Sequence, residues 1–178
     1  MTTQEEERIW AEIEEEISAD IPYEYQVVIP KDGYNVSLRI DIDLGGGFEG
    51  GFSTTTFTVP LVDPTHFRFA IHHEDFIDEI GKFVGMQDVV LGYPEFDKKV
   101  IVKTNDSGVA AEIFADSDSR LLFQSLDDYT FGIVSHHVVE GSEKQLFLEL
   151  VIEEAVTEPQ NLRELFNVFV SILRKLEG

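Results

Sequence analysis

Two segments alternate strictly between apolar and polar residues, and this period of two constrains the fold more than any other feature. Val36, Leu38, Ile40, Ile42 and Leu44 are separated by Ser37, Arg39, Asp41 and Asp43, and Leu146, Leu148, Leu150 and Ile152 share one face of the segment Gln145 to Glu153. A period of two is that of a half-buried strand with one wet face, because successive side chains on a strand point to opposite sides. Further strands are expected at Tyr25 to Ile29, Phe52 to Val59, Phe67 to Ile71, Asp88 to Leu91, Lys99 to Thr104 and Thr130 to Val139. Lys31-Asp32-Gly33 has hairpin chemistry, and Glu140 to Lys144 makes another turn.

Helical periodicity appears at both ends. From Thr3 to Ser18, Ile9, Ile13 and Ile17 recur beside Trp10, and Glu5, Glu6, Glu7, Glu12, Glu14, Glu15 and Glu16 cover the rest. Near the C-terminus, Leu162, Leu165, Phe166, Phe169, Ile172, Leu173 and Leu176 form a wide stripe. Thr157 with Gln160 has the form of a capping box, Pro159 suits a first helical turn, and Arg174 and Lys175 suit the negative end. Glu74 to Val84 reads as a helix closed by Gly85, and Asn105-Asp106-Ser107 starts helical turns that run to about Leu126 with a break near Asp116. The expectation is one α+β domain over residues 1–178, a mainly antiparallel sheet with amphipathic terminal helices packed on it.

The chain has 178 residues, 35 acidic against 13 basic, a formal charge of −22. Such a surface disfavours nucleic acid and anionic membranes, which are bound through Lys and Arg. A basic partner, or simply a solvated acidic surface, fits it. The absence of cysteine excludes disulfides, thiolate metal sites and cysteine nucleophiles. No apolar run is long enough to span a bilayer, and the start, Met-Thr-Thr-Gln-Glu-Glu-Glu, lacks secretory-signal features. A cytoplasmic location is the expectation.

The stretch Gly85-Met86-Gln87-Asp88-Val89-Val90-Leu91-Gly92-Tyr93-Pro94-Glu95-Phe96-Asp97, followed by Val100 to Asp106, resembles a group of bacterial domains of unknown function. In that group a helix precedes a G-x-Q-D strand, then a G-x-x-x-F-D turn and a strand ending in N-D or D-D. The resemblance covers residues 67–178 and leaves 1–66 outside. It implies an order of elements and supplies no catalytic roles. The residues have their own physical reading. Gly85 and Gly92 can supply positive φ at a helix end and a turn, Asp88 and Asp97 can bind backbone amides, and Phe96 is an anchor for the core.

Histidine clustering carries the chemical hypothesis. His72-His73-Glu74-Asp75 follows one expected strand, His136-His137 lies in another, and His66 is near the first. Imidazole with carboxylate suits a divalent metal, and a metal-dependent hydrolase site would need one histidine of each pair with Glu74 or Asp75, on neighbouring strands. If Phe131 and Ile133 face the core, His137 does too and His136 is wet. The glycines Gly45, Gly46, Gly47, Gly50 and Gly51 lack the Gly-Lys-Ser/Thr ending and following helix of a phosphate loop, and read as a mobile hairpin loop that could cover a site or touch a partner. No G-x-S-x-G elbow occurs. The sequence therefore favours a non-enzymatic module, without a cofactor, that binds a protein partner or a second copy through an apolar surface framed by acidic charge. The metal-dependent enzyme is the alternative.

Overall fold

The computed structural model describes residues 4–19, 23–46, 50–62, 66–74, 86–137 and 144–178. Its strands are β1 (Glu24–Lys31), β2 (Tyr34–Asp43), β3 (Phe52–Pro60), β4 (Phe69–His73), β5 (Gln87–Val89), β6 (Val100–Thr104), β7 (Tyr129–His137) and β8 (Lys144–Ile152). Its helices are α1 (Gln4–Ala19), α2 (Pro94–Lys99), α3 (Ser107–Ile113), α4 (Ser117–Ser125) and α5 (Pro159–Glu177). The eight strands form one sheet in the order β1-β2-β3-β8-β7-β4-β6-β5, and every neighbouring pair is antiparallel. The fold is α+β, as the alternating segments predict.

One apolar row crosses all eight strands. Val27, Leu38, Phe57, Leu150, Phe131, Ile71, Val102 and Val89 are successive register partners. The described helices cover this face. Phe169 of α5 lies 6.0 Å from both the Phe57 and Phe131 rings, and Phe123 of α4 stacks on Phe131 at 5.0 Å. Phe114, between α3 and α4, meets Phe69 of β4 and Phe96 of α2. Trp10 of α1 meets Phe166 of α5 edge-on at 5.4 Å. The expected stripe of α5 is buried from Leu162 to Leu173. The opposite face carries a second full row, Val28, Ser37, Thr58, Glu149, Gly132, Ala70, Lys103 and Asp88, and no described helix packs on it.

Local chemistry fixes the connections. Asp32 and Gly33 both take positive φ, 52° and 88°, which makes the two-residue β1–β2 turn a type I′ hairpin. Asp106 caps α3 through Gly108 and Val109, and Asp116 caps α4 through Ser119, so the helical stretch breaks at Asp116 as its sequence predicts. A Cβ on Gly132 would lie 2.4 Å from the Phe69 carbonyl, so only glycine lets β7 close on β4 at this point.

Four expectations are corrected. The segment after Gly92 is not a turn alone: Pro94 opens α2, its fixed φ suiting a first helical position. The capping box does not form. Pro159 takes the first helical position and Glu158 the cap, so Thr157 lies one residue too early, and Gln160 reaches Glu164 instead. Phe67 precedes β4 while His72 and His73 are its last residues, so the histidines do not follow the strand. Glu6 belongs to the interior, not to the wet face of α1. Lys31 Nζ donates to its carboxylate oxygens at 2.9 and 2.7 Å, and both side chains are buried. The expected helix from Glu74 to Val84 falls, beyond Glu74, outside the described residues, as does most of the turn before Lys144.

Two predictions follow from these contacts. Lys31→Met alone takes the ammonium away from a buried carboxylate and should cost about 3–5 kcal/mol, whereas Glu6→Leu with Lys31→Met should recover most of it. Urea titration of the two single variants and the double variant measures this. Amide and hydroxyl hydrogen bonds from Ser119 hold the Asp116 carboxyl below its ordinary pKa. A depressed folded pKa stabilises above the unfolded value and is lost as pH falls through the folded one. Asp116→Ala should therefore cost about 1 kcal/mol at neutral pH. The gap to the unsubstituted protein should close as acid denaturation is approached.

Candidate functional site

The strand order places β4 beside β7, as a shared histidine site requires, but the register separates the two pairs. His72 lies opposite Thr130, and His136 is six residues further along β7. At about 3.3 Å per residue this is ~20 Å, well beyond ligands of one metal. Antiparallel pairing runs β7 away from the His72 end of β4, so the expected site of His72 or His73 with His136 or His137 is not assembled. Among the described residues no group of three or more His, Asp or Glu is arranged to hold a metal. Asp75 and the side chain of His137 lie outside those residues.

Each histidine has its own setting. His72 is 6% exposed, its Nδ1 lies 2.8 Å from the His73 carbonyl, and its Nε2 has no partner among the described residues. His136 is exposed, pairs with Glu149 at 3.0 Å, and rests against the Phe147 ring. Phe131 and Ile133 are buried and His136 is wet, as expected.

The G-x-x-x-F-D stretch is a structural knot. Asp97 accepts from the amides of Leu91, Gly92 and Tyr93 at 2.9, 2.9 and 2.7 Å, and Gly92 has φ of 90°. Phe96 is buried against Phe114. Asp88 does not bind amides: it pairs with Lys103 Nζ across β5 and β6 at 2.6 Å, because its strand position turns it outward. Gly85 is outside the described residues.

The glycine-rich hairpin end is more informative. Gly51 approaches so closely that a Cβ would meet the Asp43 carbonyl at 2.5 Å, and the Gly45 amide donates to Asp43 Oδ1. Gly47 is outside the described residues, while Gly46 and Gly50 are exposed with open space around them. Beside this end lies a hollow of roughly 700 Å³ between the termini of β1, β2 and β3. Three large apolar side chains stand open around it: Tyr23 is 68% exposed, Leu44 69% and Phe52 60%. Glu24, Asp41 and Asp43 frame them, and Arg39 is held by both Asp41 oxygens, at 2.7 and 3.1 Å, and by Glu24 at 3.1 Å. The arginine is thus committed to two of the frame's own carboxylates. Sequence periodicity assigned Leu44 and Phe52 to strand faces and did not distinguish them. The available signal was their place at the two ends of the glycine-rich segment, beyond the reach of the helices.

No family model matches the chain, and no curated protein matches it. A solved structure of similar fold is the crystal structure of the mycobacterial trehalose monomycolate transport factor A, at a TM-score of 0.54 and 8% identity over 94% of each chain. At that identity the likeness concerns the fold. Among the described residues no helix is long and apolar enough to cross a membrane.

The Asp97 knot can be tested directly. Asp97→Ala leaves three amides without their acceptor and should cost about 2 kcal/mol, with Asp97→Asn intermediate, by thermal or urea unfolding.

Proposed function

We propose that this chain is a non-enzymatic binding module whose docking surface is the hollow at the end of β1, β2 and β3. The observation that carries the reading is the apolar trio Tyr23, Leu44 and Phe52, open to solvent inside a frame of Glu24, Asp41 and Asp43. Exposed apolar side chains are common singly, but a cluster rimmed by charge marks an interaction surface. The frame selects the partner. Three carboxylates with one already engaged arginine attract a basic segment, and the trio receives an apolar side chain carried by it. The formal charge of −22 acts in the same direction over longer range, raising the rate of encounter with a cationic partner.

Self-association through this surface is disfavoured by the same electrostatics, since a symmetric contact would bring two identical acidic frames together. The structure of similar fold is named as a transport factor, and a binding module is compatible with that name. Its cargo does not transfer to this chain on a likeness of fold.

A fluorescein-labelled lysine/phenylalanine peptide is the probe, with a lysine/serine peptide of equal charge and a glutamate/phenylalanine peptide as controls. Anisotropy titrations should show binding of the first alone, weakened by salt. Phe52→Ser and Leu44→Ser should each weaken it about tenfold while leaving the thermal melt nearly unchanged. Equal binding of the lysine/serine peptide, or full affinity in both variants, would overturn the reading. A dimer in native mass spectrometry that dissociates in Phe52→Ser would replace the partner with a second copy.

A further inference from the structure

A second hollow lies in the helix layer at the same end of the sheet. It is a groove of roughly 370 Å³ between α4 and the first turns of α5. Leu122 of α4 and Leu126, just past its end, face Leu165 of α5 across it, and Ala155 and Val156 form its floor. Glu154, Glu158 and Glu164 stand along its rim, all three exposed. Glu158 occupies the cap position of α5 without making a side-chain cap bond.

The floor of this groove is fastened to the strand that carries Phe52. The Ala155 amide donates to Ser53 Oγ at 3.0 Å and the Val156 amide to Thr55 Oγ1 at 2.8 Å, while Thr55 Oγ1 donates to the Glu154 carbonyl at 2.8 Å. Thr55 is fully buried. Phe52 and Ser53 are neighbours on β3, so their side chains turn to opposite faces of the sheet. Phe52 lines the first hollow and Ser53 anchors the floor of the groove, so the two adjoin at the same end of the sheet, held together by three hydrogen bonds. Both have an apolar centre and an acidic rim.

We infer that the groove between α4 and α5 is a second docking site for the same basic partner, entered by another apolar side chain of one extended segment passing over the sheet end. This rests on the reading of the first hollow given above and adds the spacing of the ligand. Packed layers stand ~10 Å apart, and an extended chain advances ~3.3 Å per residue, so the two apolar anchors are roughly three to six residues apart. Basic residues between and beside them face Glu154, Glu158 and Glu164 on one side and Glu24, Asp41 and Asp43 on the other. Two sites engaged by one segment give an affinity well above either alone, because the second contact forms at high effective concentration.

The test compares two lysine-rich peptides of equal length and charge, one with a single phenylalanine and one with two at that spacing. The two-anchor peptide should bind at least about tenfold more tightly. Amide chemical shifts of the ¹⁵N-labelled protein should change at Leu122, Leu126 and Val156 as well as around Phe52. Leu126→Ser should lower the two-anchor affinity to the one-anchor level and leave the one-anchor affinity untouched. Because Leu126 is half-buried, the exposed pair Glu154→Gln and Glu158→Gln serves as a second variant, expected to weaken the two-anchor peptide severalfold. Equal affinity of the two peptides, with shifts confined to Tyr23, Leu44 and Phe52, would overturn the groove and leave the first hollow standing. Shifts at the groove alone would keep the groove as a site and remove the first hollow, overturning the single-segment inference. Binding of neither peptide would sink both.

Discussion

The apolar row from Val27 to Val89 is continuous through eight strands, and this continuity depends on register. A slip of one residue in any strand would send its apolar set to the other face and bring its polar residues under the helices. The β4–β7 pairing is short: Ala70, Ile71 and His72 meet Gly132, Phe131 and Thr130. Gly132 permits the close approach there, and Ile71 to Phe131 carries the row across. The ring contacts of Phe57, Phe69, Phe114, Phe123, Phe131 and Phe169 then seat α4, α5 and the α3–α4 connection on that row. Burial of this aromatic set opposes the self-repulsion of a chain with a formal charge of −22.

Acidic charge is handled in three ways. Glu6 is taken inside and matched with Lys31, tying α1 to the end of β1. Glu7 and Asp32 are paired with Arg163 and Arg174 of α5, so both ion pairs draw α5 toward the N-terminal part of the chain. Glu24, Asp41 and Asp43, with Glu154, Glu158 and Glu164, stand around apolar hollows at one end of the sheet, Glu24 and Asp41 sharing the one guanidinium of Arg39. The last arrangement concentrates like charge beside uncovered apolar surface. That arrangement is why the sheet end, and not the histidine pairs, supports a functional reading.

Much of the fold was legible because its signals are local. Alternation identified β2 and β8, the Asp32-Gly33 pair identified the hairpin, and the aspartates at 106 and 116 marked helix starts. The failures are also physical. Thr157 and Gln160 have the spacing of a capping box, but the proline between them shifted the helix start by one residue. Glu6 follows the pattern of a solvated glutamate, and nothing within α1 reveals that Lys31, 25 residues away in sequence, is its partner. Of the candidate sites, the roles of Phe96 and Asp97 were readable because the bonds of Asp97 span at most six residues. The two hollows were not readable, since each is built from residues brought together by strand and helix packing.

By itself the sequence determined which residues alternate, which stripes are apolar, where turns and caps can form, and the sign of the surface charge. These depend on backbone geometry and composition within a few residues. The tertiary structure alone decided the insertion of β7 and β8 between β3 and β4, and the β4–β7 register that separates the histidine pairs. It also decided which apolar side chains remain uncovered: Leu146 and Leu44 both end an alternating run, yet only Leu44 lies beyond the helix layer. Exposure is a property of what packs alongside a residue, and strand order and helix placement set that through contacts distant in the chain.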